Sequence, residues 1–167
     1  PSQNPETGMS MYFQPMATGY FKVFSRPYED FWCCTGTGME NFTKLQEGIY
    51  YKDREEENKI YINQYISSKL VFCNKKGADF ILIQQTDMPV SDKVYFQVCT
   101  RQKKTSTKVT LCFRLPFWLN GKARLWKEKT ELETKVENGY LIWEGEVEDD
   151  IKLLLQLPIE VCFQSLK

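Results

Sequence analysis

The sequence predicts a mainly β protein, an antiparallel β-sandwich resembling a jelly roll, preceded by loops and one helix. Three observations support this fold class. After residue 58, apolar and polar residues alternate with period two in about eight short stretches. Turn signals such as NKKG, MPVSD, LNGK and VENG separate these stretches. No helical pattern interrupts them, which favours an antiparallel sandwich.

The N-terminal third has a different pattern. Residues 1–36 are rich in glycine, proline and aromatic residues, with PETG, QPMATG and SRPYED as turn or loop signals. Beyond them, apolar residues recur at helical steps of three and four: Met39, Phe42, Leu45 and Ile49. Thr37 and Glu40 fit a capping box with Thr37 as the N-cap. We therefore predict one helix over about residues 37–50.

The strand candidates follow in order after the charged turn DREEEN. This turn and RQKKTSTK are interpreted as solvated hairpin ends rather than binding patches. The candidates are residues 59–66, 70–73, 79–84, 93–99, 108–115, 122–126, 139–143 and 151–163.

Composition limits the class of function. The chain has 167 residues, 42% of them apolar, with 22 basic and 22 acidic residues. A chain without net charge has no global field for nucleic acid or an anionic membrane, so neither partner is expected. There is no run of about 18 apolar residues and no N-terminal export signal, so no membrane association is predicted. Because the chain starts without methionine, we expect it to be a piece of a longer protein.

The chain contains six cysteines and no histidine. Cys73, Cys99, Cys112 and Cys162 lie within strand patterns, where a thiol acts as a small apolar side chain. Packing is the interpretation for all four. A chain with a good core does not need disulfides, which favours a reducing, cytoplasmic compartment. Export, through a signal on a preceding segment, is the alternative location.

Cys33 and Cys34 are adjacent and precede the predicted helix start by three to four residues. A nearby helix N-terminus favours the thiolate, which both a nucleophile and a metal site require. A vicinal disulfide and an inert buried pair are the structural alternatives. Zinc needs further ligands, and the nearest carboxylate, Glu40, is already assigned to the capping box. The residues alone leave these alternatives open.

A longer motif surrounds the cysteine pair. Residues 2–51 contain PETG, YFQPM and FWCC-x-GTGMEN, and they resemble the segment that closes the catalytic barrel in glycoside hydrolase families 127 and 146, formerly domain of unknown function 1680. Characterised members of this group are β-L-arabinofuranosidases. The stretches VTLCFRLPFWLNG and NGYLIWEGEVEDDIKLLLQLP resemble the β-sandwich of the group. The resemblance implies that residues 1–52 end an (α/α)6 barrel and residues 53–167 form a β-sandwich domain.

The same resemblance implies a site. Cys33 would be the nucleophile of a retaining glycosidase, and Cys33 and Cys34 would bind zinc with a glutamate and a cysteine from upstream. Trp32 and Tyr12 are candidates for a sugar subsite, with core packing as the alternative for both. The substrate class would be glycans that contain L-arabinofuranosides. Phe42 departs from the group, because many relatives have histidine there.

Two other functions remain as alternatives. One is a β-sandwich with only a structural or carbohydrate-binding role, and the other is a thiol redox protein that uses Cys33 and Cys34. Without the upstream acid/base, the isolated chain is expected to be inactive. Aromatic residues within positions 1–50 are expected to be exposed and to promote self-association.

Overall fold

The computed structural model describes residues 4–12, 15–21, 23–26, 29, 33–73, 79–100 and 106–160. The chain divides into two compact units, Pro1–Glu47 (unit 1) and Gly48–Lys167 (unit 2). Each unit is described by itself.

The described part of unit 1 contains loops followed by helix α1 (Cys33–Lys44), and a 3-10 helix over Leu45–Gly48 then ends at the first residue of unit 2. The helix begins four residues before the predicted start, so the capping-box prediction is wrong. Thr37 lies inside α1, where its hydroxyl donates to the Cys33 carbonyl oxygen at 3.1 Å. A threonine hydroxyl can bond one turn back along a helix as readily as it can cap one, so the Thr37–Glu40 spacing did not identify the N-terminus.

Unit 2 contains all eight predicted strands, most with bounds within a few residues of the prediction. The last was predicted over 151–163 but ends at Gln156, and residues 161–163 lie outside the described part of the chain. Three short strands were not predicted, and the first of them, at Tyr50, lies where the helix was expected to end. The described strands are β1 (Tyr50–Lys52), β2 (Lys59–Ile62), β3 (Ser68–Cys73), β4 (Asp79–Thr86), β5 (Lys93–Thr100), β6 (Thr107–Arg114), β7 (Arg124–Lys127), β8 (Thr130–Glu131), β9 (Lys135–Glu137), β10 (Tyr140–Val147) and β11 (Ile151–Gln156).

These strands form two sheets. The first has the order β1-β2-β6-β10-β9, and the second has the order β3-β4-β5-β11-β7-β8. Neighbouring strands are antiparallel, except that β2 pairs with β6 in parallel. The mainly β, antiparallel sandwich predicted from the sequence is therefore confirmed, with one parallel pair added.

The hydrophobic core draws side chains from both sheets. Alternate residues of β5 and β11 are buried, as the period-two pattern predicts. Phe96 of the second sheet packs against Phe113 of the first, with ring centroids 4.9 Å apart. Aromatic pairs at this distance contribute packing energy beyond their buried area. The described core cluster lies entirely within residues 60–157, which belong to unit 2.

Unit 1 exposes large apolar side chains, as the sequence predicts. Met16 is 95% exposed, and four further residues are also mostly exposed: Tyr20, Phe21, Val23 and Phe42. None of the helices in the described part of the chain is long and apolar enough to cross a membrane.

Candidate functional site

Cys33 is the first residue of α1, and its side chain is exposed. Backbone amides in the first turn of a helix lack intrahelical partners and carry the positive end of the helix dipole. The sequence places the helix start after Cys33, whereas the structure begins the helix at Cys33. Cys33 therefore lies within the first turn of the helix rather than before it.

The backbone of Cys34 continues the first turn of α1, and its side chain lies outside the described residues. Trp32, the first subsite candidate, also lies outside them. One turn further along, Gly38 is exposed, and a Cβ built on it would meet no atom within 4 Å. A side chain at position 38 would therefore extend into open space.

Tyr12, the second subsite candidate, is 43% exposed, so it is not a core residue. The preceding PETG segment forms a turn in which the Asn4 side-chain oxygen accepts hydrogen bonds from the Glu6 and Thr7 amides. An asparagine that bonds backbone amides two and three residues ahead is typical of such turns. The Ser25 amide then donates to the Ser10 carbonyl oxygen at 2.8 Å, which joins this segment to a later part of unit 1.

Cys33 and Cys34 offer sulfur donors of the kind that a zinc ion requires. Thiolates are suitable zinc ligands, and a catalytic site uses three protein ligands. Among the side chains that the structure describes, no three His, Cys, Asp or Glu residues come together. Thiolates of Cys33 and Cys34 are suitable zinc ligands, but the described side chains do not complete a zinc site.

A second candidate site, which the sequence did not predict, is a cleft in unit 2 with a volume of about 470 Å³. It combines an apolar wall that includes Trp118 with polar side chains that include Asn63 and Arg114. The only sequence signal for it is the Pro-aromatic-Trp turn after β6, at residues 116–118. Its lining comes from segments far apart in sequence, so spacing alone does not reveal it.

Two family models match the chain. The one described as "Beta-L-arabinofuranosidase, GH127 middle domain" matches residues 59–159. The one described as "Beta-L-arabinofuranosidase, GH127 catalytic domain" matches residues 1–47, which include Cys33 and Cys34. No curated protein matches the sequence significantly.

Solved structures share the fold of this chain. Ara127N-Se, a GH127 β-L-arabinofuranosidase from Geobacillus stearothermophilus T6, shares 18% identity over 75% of this chain, with a TM-score of 0.65. A protein titled "Glycoside hydrolase" shares 22% identity over 89% of it, with a TM-score of 0.70. The GH127 β-arabinofuranosidase BT3674 shares 18% identity over 75% of it, with a TM-score of 0.59.

The matched regions make up 19%, 24% and 21% of those three proteins, so this chain spans about a quarter of their length or less. At these identities the likeness shows the fold. The middle-domain model, in contrast, matches more than half of the sequence. The chain therefore belongs to the GH127 family of β-L-arabinofuranosidases, which are glycoside hydrolases.

Proposed function

We propose that the chain is part of a retaining glycoside hydrolase that acts on β-L-arabinofuranosides, with Cys33 as the nucleophile. The observation that carries this proposal is the catalytic-domain match over residues 1–47, within which the exposed Cys33 thiol lies at the start of α1. An exposed thiol at a helix N-terminus has the environment that reactive cysteines use.

The reaction proceeds in two displacements. The Cys33 thiolate attacks the anomeric carbon, and the bond to the leaving sugar oxygen breaks while an acid from another part of the enzyme protonates that oxygen. Water then attacks the thioglycosyl intermediate, and its proton passes to the same acid/base group. Sugar and thiolate are released, and two inversions at the anomeric carbon give overall retention.

Residues of α1 support the first displacement. A helix N-terminus favours a nearby anion, and Cys33 occupies the first position of α1. The Thr37 hydroxyl is engaged with the Cys33 carbonyl oxygen, and no other described hydrogen bond of Thr37 involves a side chain. We therefore assign Thr37 to the local structure of the helix rather than to the reaction.

Zinc is the proposed cofactor, held by the Cys33 and Cys34 thiolates together with ligands from beyond the described residues. A bound zinc ion keeps a coordinating thiol deprotonated. Tyr12 and Trp32 are proposed to contact the sugar, whose apolar ring face can stack on an aromatic side chain. The exposure of Tyr12 supports this role because an exposed phenol is accessible to a ligand.

The deciding experiment uses the full-length enzyme and a chromogenic β-L-arabinofuranoside. Cys33→Ser should lower turnover by about 10³-fold or more, because the nucleophile is lost. Cys34→Ser should lower the zinc content and regain part of its activity in excess zinc. Cys73→Ser, which replaces an exposed thiol in unit 2, is the matched control and should leave activity unchanged.

Near-normal turnover in Cys33→Ser would contradict its assignment as nucleophile. The isolated 167 residues should bind zinc weakly and hydrolyse no arabinofuranoside, because two thiolates do not complete a zinc site. Metal analysis and product detection on the isolated chain test both statements.

A further inference from the structure

The cleft in unit 2 lies at one end of the sandwich. It is lined by residues that follow β2, by the turn between β4 and β5, by the end of β6 and the turn after it, and by a residue beyond β11. Since β2 and β6 are parallel, their carboxyl ends lie at the same edge of their sheet. Connections that cluster at the end of a β-sandwich are a common location for binding sites.

One wall of the cleft is apolar and presents an aromatic ring. Trp118 is 39% exposed, and the other apolar residues that line the cleft are Met88, Pro89, Pro116 and Ile159. A turn in which the Leu119 amide donates to the Pro116 carbonyl oxygen at 3.1 Å fixes the backbone on both sides of Trp118. An indole held in this way can stack on the apolar face of a sugar ring.

The other wall is polar and carries one charge. Arg114 is exposed, and one guanidinium nitrogen donates to the Asn63 carbonyl oxygen at 3.3 Å. The Asn63 side-chain oxygen accepts a hydrogen bond from the Tyr140 hydroxyl at 2.8 Å, which fixes the orientation of its NH₂ group. Gln64 also lines the cleft. These groups are held before any ligand arrives, which reduces the cost of ordering them.

Tyr65 also lines the cleft, next to Arg114. Its hydroxyl donates to the Arg114 carbonyl oxygen at 2.6 Å, which fixes the backbone of the residue that carries the guanidinium. Burial raises the pKa of Tyr65, so the phenol keeps its proton and remains a donor at neutral pH.

The charges around the cleft select among ligands. Among the described residues that line it, Arg114 is the only charged one, and no ion pair of Arg114 with a described carboxylate is present. A guanidinium with this exposure prefers a carboxylate, which it can bind with two parallel hydrogen bonds. The Asn63 amide suits a hydroxyl group, and Trp118 suits a ring face.

We propose that this cleft is a non-catalytic binding site for a sugar that carries a carboxylate, a uronic acid unit of a glycan. The cavity volume falls within the range of about 300–1,000 Å³ that is usual for small-ligand sites. The site lies in unit 2 and does not involve Cys33. The binding proposal can therefore be tested independently of the proposed hydrolase activity.

Binding is measured by calorimetry on the 167-residue chain, with trigalacturonic acid as the probe and the neutral galactotriose for comparison. Trigalacturonic acid should bind at least about 10-fold more tightly, because a hydrogen bond between two charged groups is stronger than one to a hydroxyl. Added salt should lower the affinity for trigalacturonic acid and leave the affinity for galactotriose unchanged.

Two variants assign the contacts. Arg114→Gln should lower the affinity for trigalacturonic acid by about 10-fold and abolish its advantage over galactotriose. Trp118→Ala should lower the affinity for both ligands, since it removes the stacking surface. Arg124→Gln is the matched control, because Arg124 is an exposed arginine on β7 outside the cleft. It should bind like the unmodified chain, and a circular dichroism spectrum should verify that each variant is folded.

Four outcomes would overturn the proposal. The first is equal binding of both oligosaccharides, and the second is an equal loss of affinity in Arg114→Gln and Arg124→Gln. The third is absence of binding to the folded chain. The fourth is a change of oligomeric state in Trp118→Ala without any change in sugar affinity, which would assign the cleft to a protein partner. Cys33→Ser should bind normally, which distinguishes this site from the catalytic one.

Discussion

Gln84 on β4 is a polar side chain inside an apolar core, with only 1% of its surface exposed. Its amide nitrogen donates to the carbonyl oxygens of Ile66 at 2.6 Å and Gln64 at 3.2 Å. Both acceptors lie in the connection that leaves β2 of the first sheet for β3 of the second. Gln84 therefore provides a hydrogen-bond partner for backbone that has no strand beside it.

Replacing Gln84 by leucine should lower the free energy of unfolding by about 1–3 kcal/mol, because the two carbonyl oxygens lose their buried donor. The same connection carries Gln64 into the cleft, so Gln84→Leu should also weaken ligand binding there. Urea unfolding measures the change in stability. Gln85→Leu, one position along the strand on the exposed side, is the control and should change stability little. Equal stability of the two variants would contradict the role given to Gln84.

Cys112 on β6 is buried, and burial is the main reason that its thiol pKa is raised to about 11. The nearby carboxylates of Glu56, Asp53 and Glu144 raise the pKa further, while the Lys59 ammonium opposes them. In the unfolded chain the thiol has its ordinary pKa, near 9.0. The folded state therefore holds this proton more tightly, and the resulting stability is complete below pH 9.0 and is lost as pH rises through about 11.

Cys112→Ala should consequently reduce the loss of stability between about pH 8 and 11, by an amount on the order of 2 kcal/mol. Tyrosines with raised pKa values, such as Tyr50 and Tyr65, contribute to the alkaline loss in both proteins and cancel in the comparison. Urea unfolding as a function of pH measures the effect. Cys73→Ala, an exposed thiol, should retain the slope of the unmodified chain. An identical pH slope in Cys112→Ala would refute the assignment.

Individual site residues could be predicted to different degrees. Cys33 was singled out because an adjacent cysteine pair stands next to glycines and a helical pattern, within a motif that resembles the glycosidase family, and its role stays a prediction. Its position at the first residue of α1 could not be found, because Thr37 fits both a cap and a helix interior. Arg114 and Asn63 were missed altogether, because only the parallel pairing of β2 with β6 brings their segments together.

At the scale of elements, the alternating pattern predicted all eight of the longer strands. β1, β8 and β9 were missed because each has only two or three residues, and none of those residues is buried. Two or three residues without a buried position do not show an alternation. The parallel contact between β2 and β6 has no local signal either, since pairing partners depend on the whole topology.

Two glycines, Gly145 in β10 and Gly38 in α1, differ in the space around them. A Cβ at this position in β10 would overlap the indole ring of Trp143, two residues earlier on the same strand face. Glycine normally weakens a strand, so its presence here is explained by the close approach of the ring. In α1, by contrast, a Cβ at Gly38 would enter open space.

The same substitution should therefore have opposite effects at the two sites. Gly145→Ala should destabilise unit 2 by about 1–3 kcal/mol, because the Trp143 ring must move within a packed environment. Gly38→Ala should stabilise α1 by up to about 1 kcal/mol, since alanine is the better helix former. Thermal unfolding measures the first effect, and amide hydrogen exchange within α1 measures the second. Unchanged or higher stability in Gly145→Ala would show that the Trp143 overlap is relieved without cost.

At the scale of the whole molecule, stability is distributed unevenly between the two units. The described core cluster lies in unit 2. Unit 1 instead exposes large apolar residues, among them Met16, Phe21 and Phe42. Large exposed apolar patches are usual at sites of association. Self-association through unit 1 stays a prediction, and it can be tested together with the independence of unit 2.

Residues 48–167, expressed without unit 1, should fold and unfold cooperatively, because the core cluster and both sheets are retained. Their unfolding midpoint should lie close to that of unit 2 in the complete chain. Light scattering should show the 167-residue chain associating as its concentration rises and residues 48–167 remaining monomeric, since the apolar side chains of unit 1 are absent. A substituted 167-residue chain with Phe21→Ser and Phe42→Ser is the matched control and should associate less while keeping its sandwich intact. If residues 48–167 lose cooperative unfolding, unit 2 depends on unit 1 for its stability, and the division of the molecule into an independent sandwich and an association surface is wrong.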